Sequence, residues 1–274
     1  FPQITTTKIH LDPRFPISRK MALNVGIKSA HYECMVFTST DAVPQTDRWL
    51  SLMAKGFMRG EIVVGYCGVE RGKGFSNYMM RAWRMMHSAD WIARAVQRRA
   101  YRGTLHNYGF TKSLYFGANG FSHLNMNIGE DDLFMQRVMS RDNVSVILSP
   151  RASLREKMWG GMGWWMSQLR YFGSAFRFYP RAVKTFVRWE IGSRVLFFAT
   201  VVCALAVMPP EYKLAALLLA VIRYVVVAFE VRRIARRLGE GGIAGRYFIY
   251  DLLGPLWAAA LGAMLLRRDN RVWR

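Results

Sequence analysis

The last third of the chain limits its folding options more than any other part. Val195 to Met208 carries no charge and is closed by Pro209-Pro210-Glu211. Leu214 to Phe229 is apolar apart from Arg223, and Tyr247 to Leu266 is apolar apart from Asp251, with Gly254-Pro255 in its middle. The first two runs are shorter than the roughly 20 residues that a spanning helix needs. Their flanks, Trp189-Glu190-Ile191 and Tyr212-Lys213, can extend them. Three hydrophobic membrane segments are therefore expected within 191–274, against the plainer alternative of a buried hairpin in a soluble protein. A charge inside such a run is a functional candidate, and Arg223 could face a lipid phosphate or a partner helix.

Arg232-Arg233-Ile234-Ala235-Arg236-Arg237 lies between the second and third segments. The excess of Lys and Arg on cytoplasmic loops places that loop in the cytoplasm. Pro209-Pro210-Glu211 then lies outside, and residues 1–190 return to the cytoplasm. The expectation is a multi-pass protein of the inner or plasma membrane with a cytoplasmic domain. The tail Arg267-Arg268-Asp269-Asn270-Arg271 conflicts with a third crossing unless Gly254-Pro255 breaks the segment so that it re-enters.

Composition agrees with a bilayer. A formal net charge of +21 accompanies 52% hydrophobic residues, a pairing that a membrane-attached basic protein can keep. The charge favours an anionic partner: nucleic acid, lipid headgroups or a phosphorylated small molecule. Much of it lies beside apolar segments, so membrane lipids are the expected partner and nucleic acid is not. Cys34, Cys67 and Cys203 are widely spaced and suggest neither a disulfide framework nor a metal site. His87, His106 and His123 have no metal-like spacing either, and the 16 Met residues are read as packing. The chain begins at Phe1 with nothing like a signal peptide, so a fragment missing its beginning is expected.

Residues 1–150 read as an α/β region. Lys20 to Ala30 suits a short helix with Ser18 at its cap. Met35-Val36-Phe37 is an apolar run ended by Thr38-Ser39-Thr40-Asp41, as in a buried parallel strand and its loop. Trp49 to Phe57 reads as helix, Ile62 to Tyr66 as strand and 75–100 as helix. Residues 101–133 read as loop-rich, and a helix follows from Asp131 to Met139. Ligands of such sheets bind at the carboxyl ends of the strands, where Asp41 falls. Residues 151–190 mix Trp159, Trp164, Trp165, Tyr171 and Phe172 with Arg155, Lys157 and Arg170. That mixture suits amphipathic helices in the headgroup layer; an aromatic-rich core helix is the alternative.

Three pieces carry chemistry. A carboxylate at the Asp41 position can hold a divalent cation that bridges phosphates, although such a residue often only caps the next element. Glu130-Asp131-Asp132 could supply a base, with mutual repulsion raising one carboxyl toward its working range. Alone, an acidic triplet at a helix start is usually a solvated cap. Trp164-Trp165-Met166-Ser167-Gln168-Leu169-Arg170-Tyr171 sets an Arg among rings, suited to a diphosphate or a sugar, or equally to an interfacial anchor.

In order and spacing these pieces resemble the membrane-bound family 2 glycosyltransferases, relatives of the cellulose and hyaluronan synthases, over nearly the whole chain. Arg19-Lys20-Met21-Ala22 through Lys28 resembles the basic helix before the family's metal motif, and Phe37 to Pro44 its Asp-x-Asp segment, with Trp49-Leu50 following. Tyr101-Arg102-Gly103, Asn107-Tyr108-Gly109-Phe110, Lys112 and Gly120-Phe121 match the stretch before the catalytic acid. Gly129-Glu130-Asp131-Asp132-Leu133 is similar to the motif that supplies the base. Two places depart: Ser39 stands where the family often has the first Asp, and Ser167-Gln168-Leu169-Arg170-Tyr171 stands for Gln-x-x-Arg-Trp. These departures favour single sugar additions over a processive synthase. The family's opening strands are missing.

The resemblance implies a partial GT-A (Rossmann-like) domain over 1–150, interfacial helices over 151–190 and a transmembrane region over 191–274. It implies an inverting, metal-dependent transfer of a sugar from a nucleotide-sugar donor to a lipid-linked or saccharide acceptor. Asp131 would be the base, with Asp132 or Glu130 as the alternative register. Lys20, Asp41 and Arg170 would bind the donor diphosphate, Asp41 with Mg2+ or Mn2+, and Asn107 and Tyr171 would lie on the acceptor side. The competing expectations are a degenerate, non-catalytic relative and a basic membrane-attached scaffold.

Overall fold

A computed structural model describes residues 5–9, 18–104, 106–122 and 131–267, with the backbone alone for 260–267. Glu130, His123 and the tail from 268 onward, which figure in the sequence expectations, lie outside the described residues. The chain divides into two compact units. The described part of the first runs to Cys67 and again from Asp90 to Glu156; that of the second takes Gly68–Ala89 and Lys157 to Arg267.

The elements run α1 (Arg19–Ser29), β1 (Cys34–Phe37), β2 (Ala42–Pro44), α2 (Trp49–Gly56), β3 (Ile62–Gly65), β4 (Cys67–Val69) and α3 (Phe75–Val96). They continue with β5 (Tyr108–Thr111), α4 (Lys112–Gly117), α5 (Leu133–Val138), β6 (Val144–Ile147) and β7 (Leu154–Glu156). The last four are α6 (Met162–Phe176), α7 (Arg181–Val207), α8 (Pro210–Leu238) and α9 (Tyr247–Arg267). This is a mixed α/β domain followed by long apolar helices.

In the first unit, α1 starts where Ser18 Oγ accepts a hydrogen bond from Met21 N at 3.2 Å, a cap that stabilises a helix by about 1 kcal/mol. The main sheet has the order β1-β5-β3-β6. β5 is antiparallel to both β1 and β3, while β6 runs parallel to β3. β1, β3 and β6 therefore point the same way. The expected parallel burial of β1 is corrected: β1 is an edge strand with an antiparallel neighbour, since β5 emerges from the stretch read as loop and inserts beside it. Gly109 permits that insertion, because a Cβ there would sit 2.5 Å from Met35 O and 2.8 Å from the Phe57 ring.

The core forms around β3, whose Ile62, Val63 and Val64 are fully buried. Phe37, Tyr108, Phe110, Tyr115, Phe121 and Phe134 build a connected ring cluster on it, with centroids 4.7 Å apart for Phe37–Phe110 and 5.4 Å for Phe110–Phe134. Each such pair adds about 0.5–1.5 kcal/mol beyond its buried area. A smaller sheet has the order β2-β7-β4.

The second unit is helical. α7 and α8 are long and apolar enough to cross a membrane, at 27 and 29 residues. At 1.5 Å per residue each measures about 40 Å, more than the hydrocarbon layer of about 30 Å. Little of their apolar surface is buried inside the protein, which sets them apart from the core helices of a soluble domain. Arg232 to Arg237 form no loop; they continue α8, which ends at Gly239 in the left-handed region (φ 69°). α9 is one helix through Gly254-Pro255 rather than a broken one.

The charges within these apolar runs find one another. Arg223 of α8 binds Asp251 of α9 through two hydrogen bonds of 2.5 and 3.2 Å. Arg194 of α7 lies 3.8 Å from the same carboxylate and pairs with Glu190 one turn earlier. The Arg223 guanidinium also lies 4.6 Å from the Phe197 ring centroid. The partner-helix alternative for Arg223 is thus realised. α6 buries Trp165, Met166 and Leu169, with the Trp165 ring 5.1 Å from that of Trp257 in α9. Phe172 packs edge-on against His87 of α3. One face of the aromatic stretch is therefore core, while Trp159 and Phe178 stay exposed.

Candidate functional site

The first unit gathers its chemistry-bearing residues at one edge, the carboxyl ends of β1, β3 and β6. β1 ends at Phe37 and enters the Thr38–Asp41 turn, so Asp41 lies at that edge and is exposed. Ser39 helps shape the turn: its carbonyl accepts from Ala42 N at 3.1 Å and its Oγ from Asp41 N at 3.4 Å. β5 runs the other way, so its start, preceded by Asn107, reaches the same edge.

Asp131 and Asp132 arrive there through α5. The loop after α5 is pinned at the opposite edge, where Asn143 Nδ2 donates to Val138 O and Asn143 O accepts from Ile62 N, both at 2.9 Å. α5 therefore points its N-terminus back toward the carboxyl ends of β3 and β6. Phe134 anchors it to the ring cluster. The two carboxylates are buried, at 4% and 1% exposure, in place of the solvated cap that an isolated triplet would make. Asp131 Oδ1 accepts from Asp132 N at 2.9 Å, and Asp132 Oδ1 accepts from Leu133 N at 2.8 Å. These bonds hold the rotamers.

Asn107 has a structural task. Its Nδ2 donates to Tyr66 O and Ala152 O, each at 2.9 Å, and its Oδ1 accepts from Trp49 Nε1 at 2.9 Å. The side chain is fully buried, and the amide joins β3, α2 and the approach to β7. Gly65 makes room for it, since a Cβ there would lie 2.5 Å from Asn107 Nδ2. Lys20 is half-buried on α1. Arg170 and Tyr171 lie on α6 in the second unit, the former exposed and the latter half-buried.

The structure adds a pair that the sequence reading passed over. His106 Nε2 stands 3.3 Å from Glu156 Oε1, both largely buried, and His106 Nδ1 meets no hydrogen-bond partner among the described residues. Glu156 faces Ala42 across the β2–β7 ladder, which puts the pair beside the Asp41 turn. Fifty residues separate the two in sequence, so no local spacing announces them.

Away from this edge, Asp90 accepts a hydrogen bond from the Tyr101 hydroxyl at 2.7 Å. Burial raises the Asp90 carboxyl above its ordinary range, with the Tyr101 hydrogen bond opposing. Burial, reinforced by the Asp90 charge, also holds the Tyr101 hydroxyl well above its usual range. At the far end of β1, hydrogen bonds from the Ser113 hydroxyl and N–H depress the Glu33 carboxyl.

Among the described residues no three His, Cys, Asp or Glu side chains come together as a metal site. Neither a protein-family model nor a curated protein matches this chain. The likeness to family 2 glycosyltransferases accordingly rests on the quoted motifs.

Proposed function

We propose that the chain is a membrane-bound inverting glycosyltransferase with a partial GT-A domain, moving a sugar from a nucleotide-sugar to a lipid-linked or saccharide acceptor. The observation that carries this reading is the pair of adjacent buried carboxylates, Asp131 and Asp132, delivered by α5 to the strand edge that also bears Asp41. An acceptor hydroxyl oxygen attacks the anomeric carbon, the bond from that carbon to the diphosphate oxygen breaks, and the hydroxyl proton passes to Asp131. Attack opposite the leaving group inverts the centre. Asp41 would hold Mg2+ or Mn2+ against the donor phosphates, and the ion would supply electrostatic stabilisation of the departing charge. α7 and α8 would keep the chain at the bilayer, where a lipid-linked acceptor lies.

A second reading is a degenerate relative or a basic membrane-attached scaffold. Ser39 favours it, since the residue standing where the family often has an Asp is occupied in a turn. The deciding assay is nucleoside diphosphate release by the chain in membranes with a panel of sugar donors, with and without Mg2+ or Mn2+. Asp131→Asn should lower release by about 10²–10⁴-fold, the usual weight of a general base. If Asp132→Asn does so instead, the base moves by one residue. Absence of release from every donor would favour the second reading.

A further inference from the structure

α8 carries its apolar run past Phe229 into Arg232, Arg233, Arg236 and Arg237 without leaving the helix. Counted from Phe229 these arginines fall at steps of three, four, seven and eight residues, which is one face of an α-helix. Val231, Ala235 and Leu238 bury the other side. The four arginines and Phe229 line an open hollow of about 390 Å³. Each arginine is exposed. Among the described residues none of them has an ion pair or side-chain hydrogen bond, even with Glu230 beside them on the helix. Arg98 of the first unit, also exposed, does pair, with Asp142 at 2.9 Å.

Like charges at these spacings repel along a helix. The negative end of the helix offsets such repulsion only within the last turn, which covers Arg236 and Arg237 but not Arg232 and Arg233. The stripe also begins where the apolar run ends, at the depth of the headgroups for a helix that crosses a bilayer. We propose that this face is a binding site for the phosphate of an anionic phospholipid headgroup, with Phe229 against the top of the acyl chain and the guanidiniums around the phosphate oxygens. Guanidinium forks suit phosphate oxygens through paired hydrogen bonds. The proposal rests on α8 crossing a membrane and not on glycosyl transfer, and its test reads no turnover.

The test reconstitutes the whole chain into nanodiscs of phosphatidylcholine mixed with phosphatidylglycerol and measures, by native mass spectrometry, the lipid retained on release. Phosphatidylglycerol should be enriched over its share of the bilayer. Replacing all four arginines by glutamine should abolish the enrichment, and single changes such as Arg232→Gln should lower it about fivefold each. Replacement by lysine should keep part of it. A charge-matched control, Arg48, Lys55, Arg59 and Arg141 to Gln in the first unit, should leave it intact. The proposal is overturned if the arginine-free variant still enriches phosphatidylglycerol, or if the control loses it equally. It is also overturned if inorganic phosphate displaces the lipid at comparable concentration, which would assign the face to a soluble anion. Should the fourfold variant misfold, the single variants decide: no loss in any of them overturns the site.

Discussion

The two units differ in where they keep apolar surface. In the first, Leu154 is fully buried, alongside the charged Arg102, Asp131, Asp132 and Glu156. In the second, Leu219 is 63% exposed and Leu214 70%, while Asp251, Glu240 and Arg81 are buried. The same side-chain chemistry thus meets two different surroundings. Around the first unit water rewards burying apolar surface. A hydrocarbon solvent around α7 and α8 would remove that incentive, and polar groups would then turn inward and satisfy one another. The comparison teaches that the exposed apolar surface of the second unit goes with helices long and apolar enough to cross a membrane.

Breaking the inward ionic cluster should have the largest effect on stability. Asp251→Leu leaves Arg223 and Arg194 facing each other without their shared carboxylate, and should cost the helical unit about 3–5 kcal/mol. Denaturation of the nanodisc-embedded chain, followed by hydrogen exchange in α7 and α8, would measure it. Arg223→Met combined with Asp251→Leu should recover much of the loss. If the single change is neutral, the cluster is not what holds these helices.

A matched pair of truncations sharpens the comparison further. Leu154→Ala should destabilise the first unit by about 2–5 kcal/mol by opening a cavity. Leu219→Ala in the nanodisc should stay within about 0.5 kcal/mol. Equal losses would mean that α8 packs against protein. Next in size, Asn107→Leu strands Trp49 Nε1 and the carbonyls of Tyr66 and Ala152, and should cost the first unit about 1–3 kcal/mol. Proteolytic susceptibility of the α2 segment should rise in step.

The smallest effect is a pH slope. Asp90 has a folded-state pKa raised by burial, so its ionisation opposes folding. Its contribution to stability is greatest below the ordinary carboxylate value and falls as pH rises through the raised one. Asp90→Asn should flatten that fall in urea titrations at a series of acidic pH values, and an unchanged slope would assign it to another group.

Much of the first unit was legible: α1 with its Ser18 cap, β1, α2 and β3 follow from apolar spacing and cap chemistry. β5 was not, because Gly109 interrupts a strand pattern for a reason visible only in three dimensions, the close passage of β1. Its absence from the sequence reading made β1 look parallel and central. Arg223 and Asp251 were each noticed as the single charge in an apolar run, and their opposite signs held the signal for their pairing. Only the packing of α8 on α9 converts that signal into a contact. At the candidate site, the acidic motif marked Asp131 and Asp132, but their burial depends on the ring cluster beneath Phe134. Asn107 was marked as well, and its role as an internal tether could not be read from its neighbours.

The Arg223–Asp251 clasp also sets a phase. A helix left alone in a bilayer can spin about its own axis, and one clasped to a neighbour cannot. Because α8 runs unbroken from Arg223 to Arg237, the clasp aims the arginine face about 14–21 Å farther along, at about 100° of rotation per residue. Deleting Val231 would keep every charge and the Arg223–Asp251 contact, yet swing the stripe by roughly a quarter turn. The helix therefore works as a keyed shaft, whose heading at its cationic end is decided by a contact far back along it.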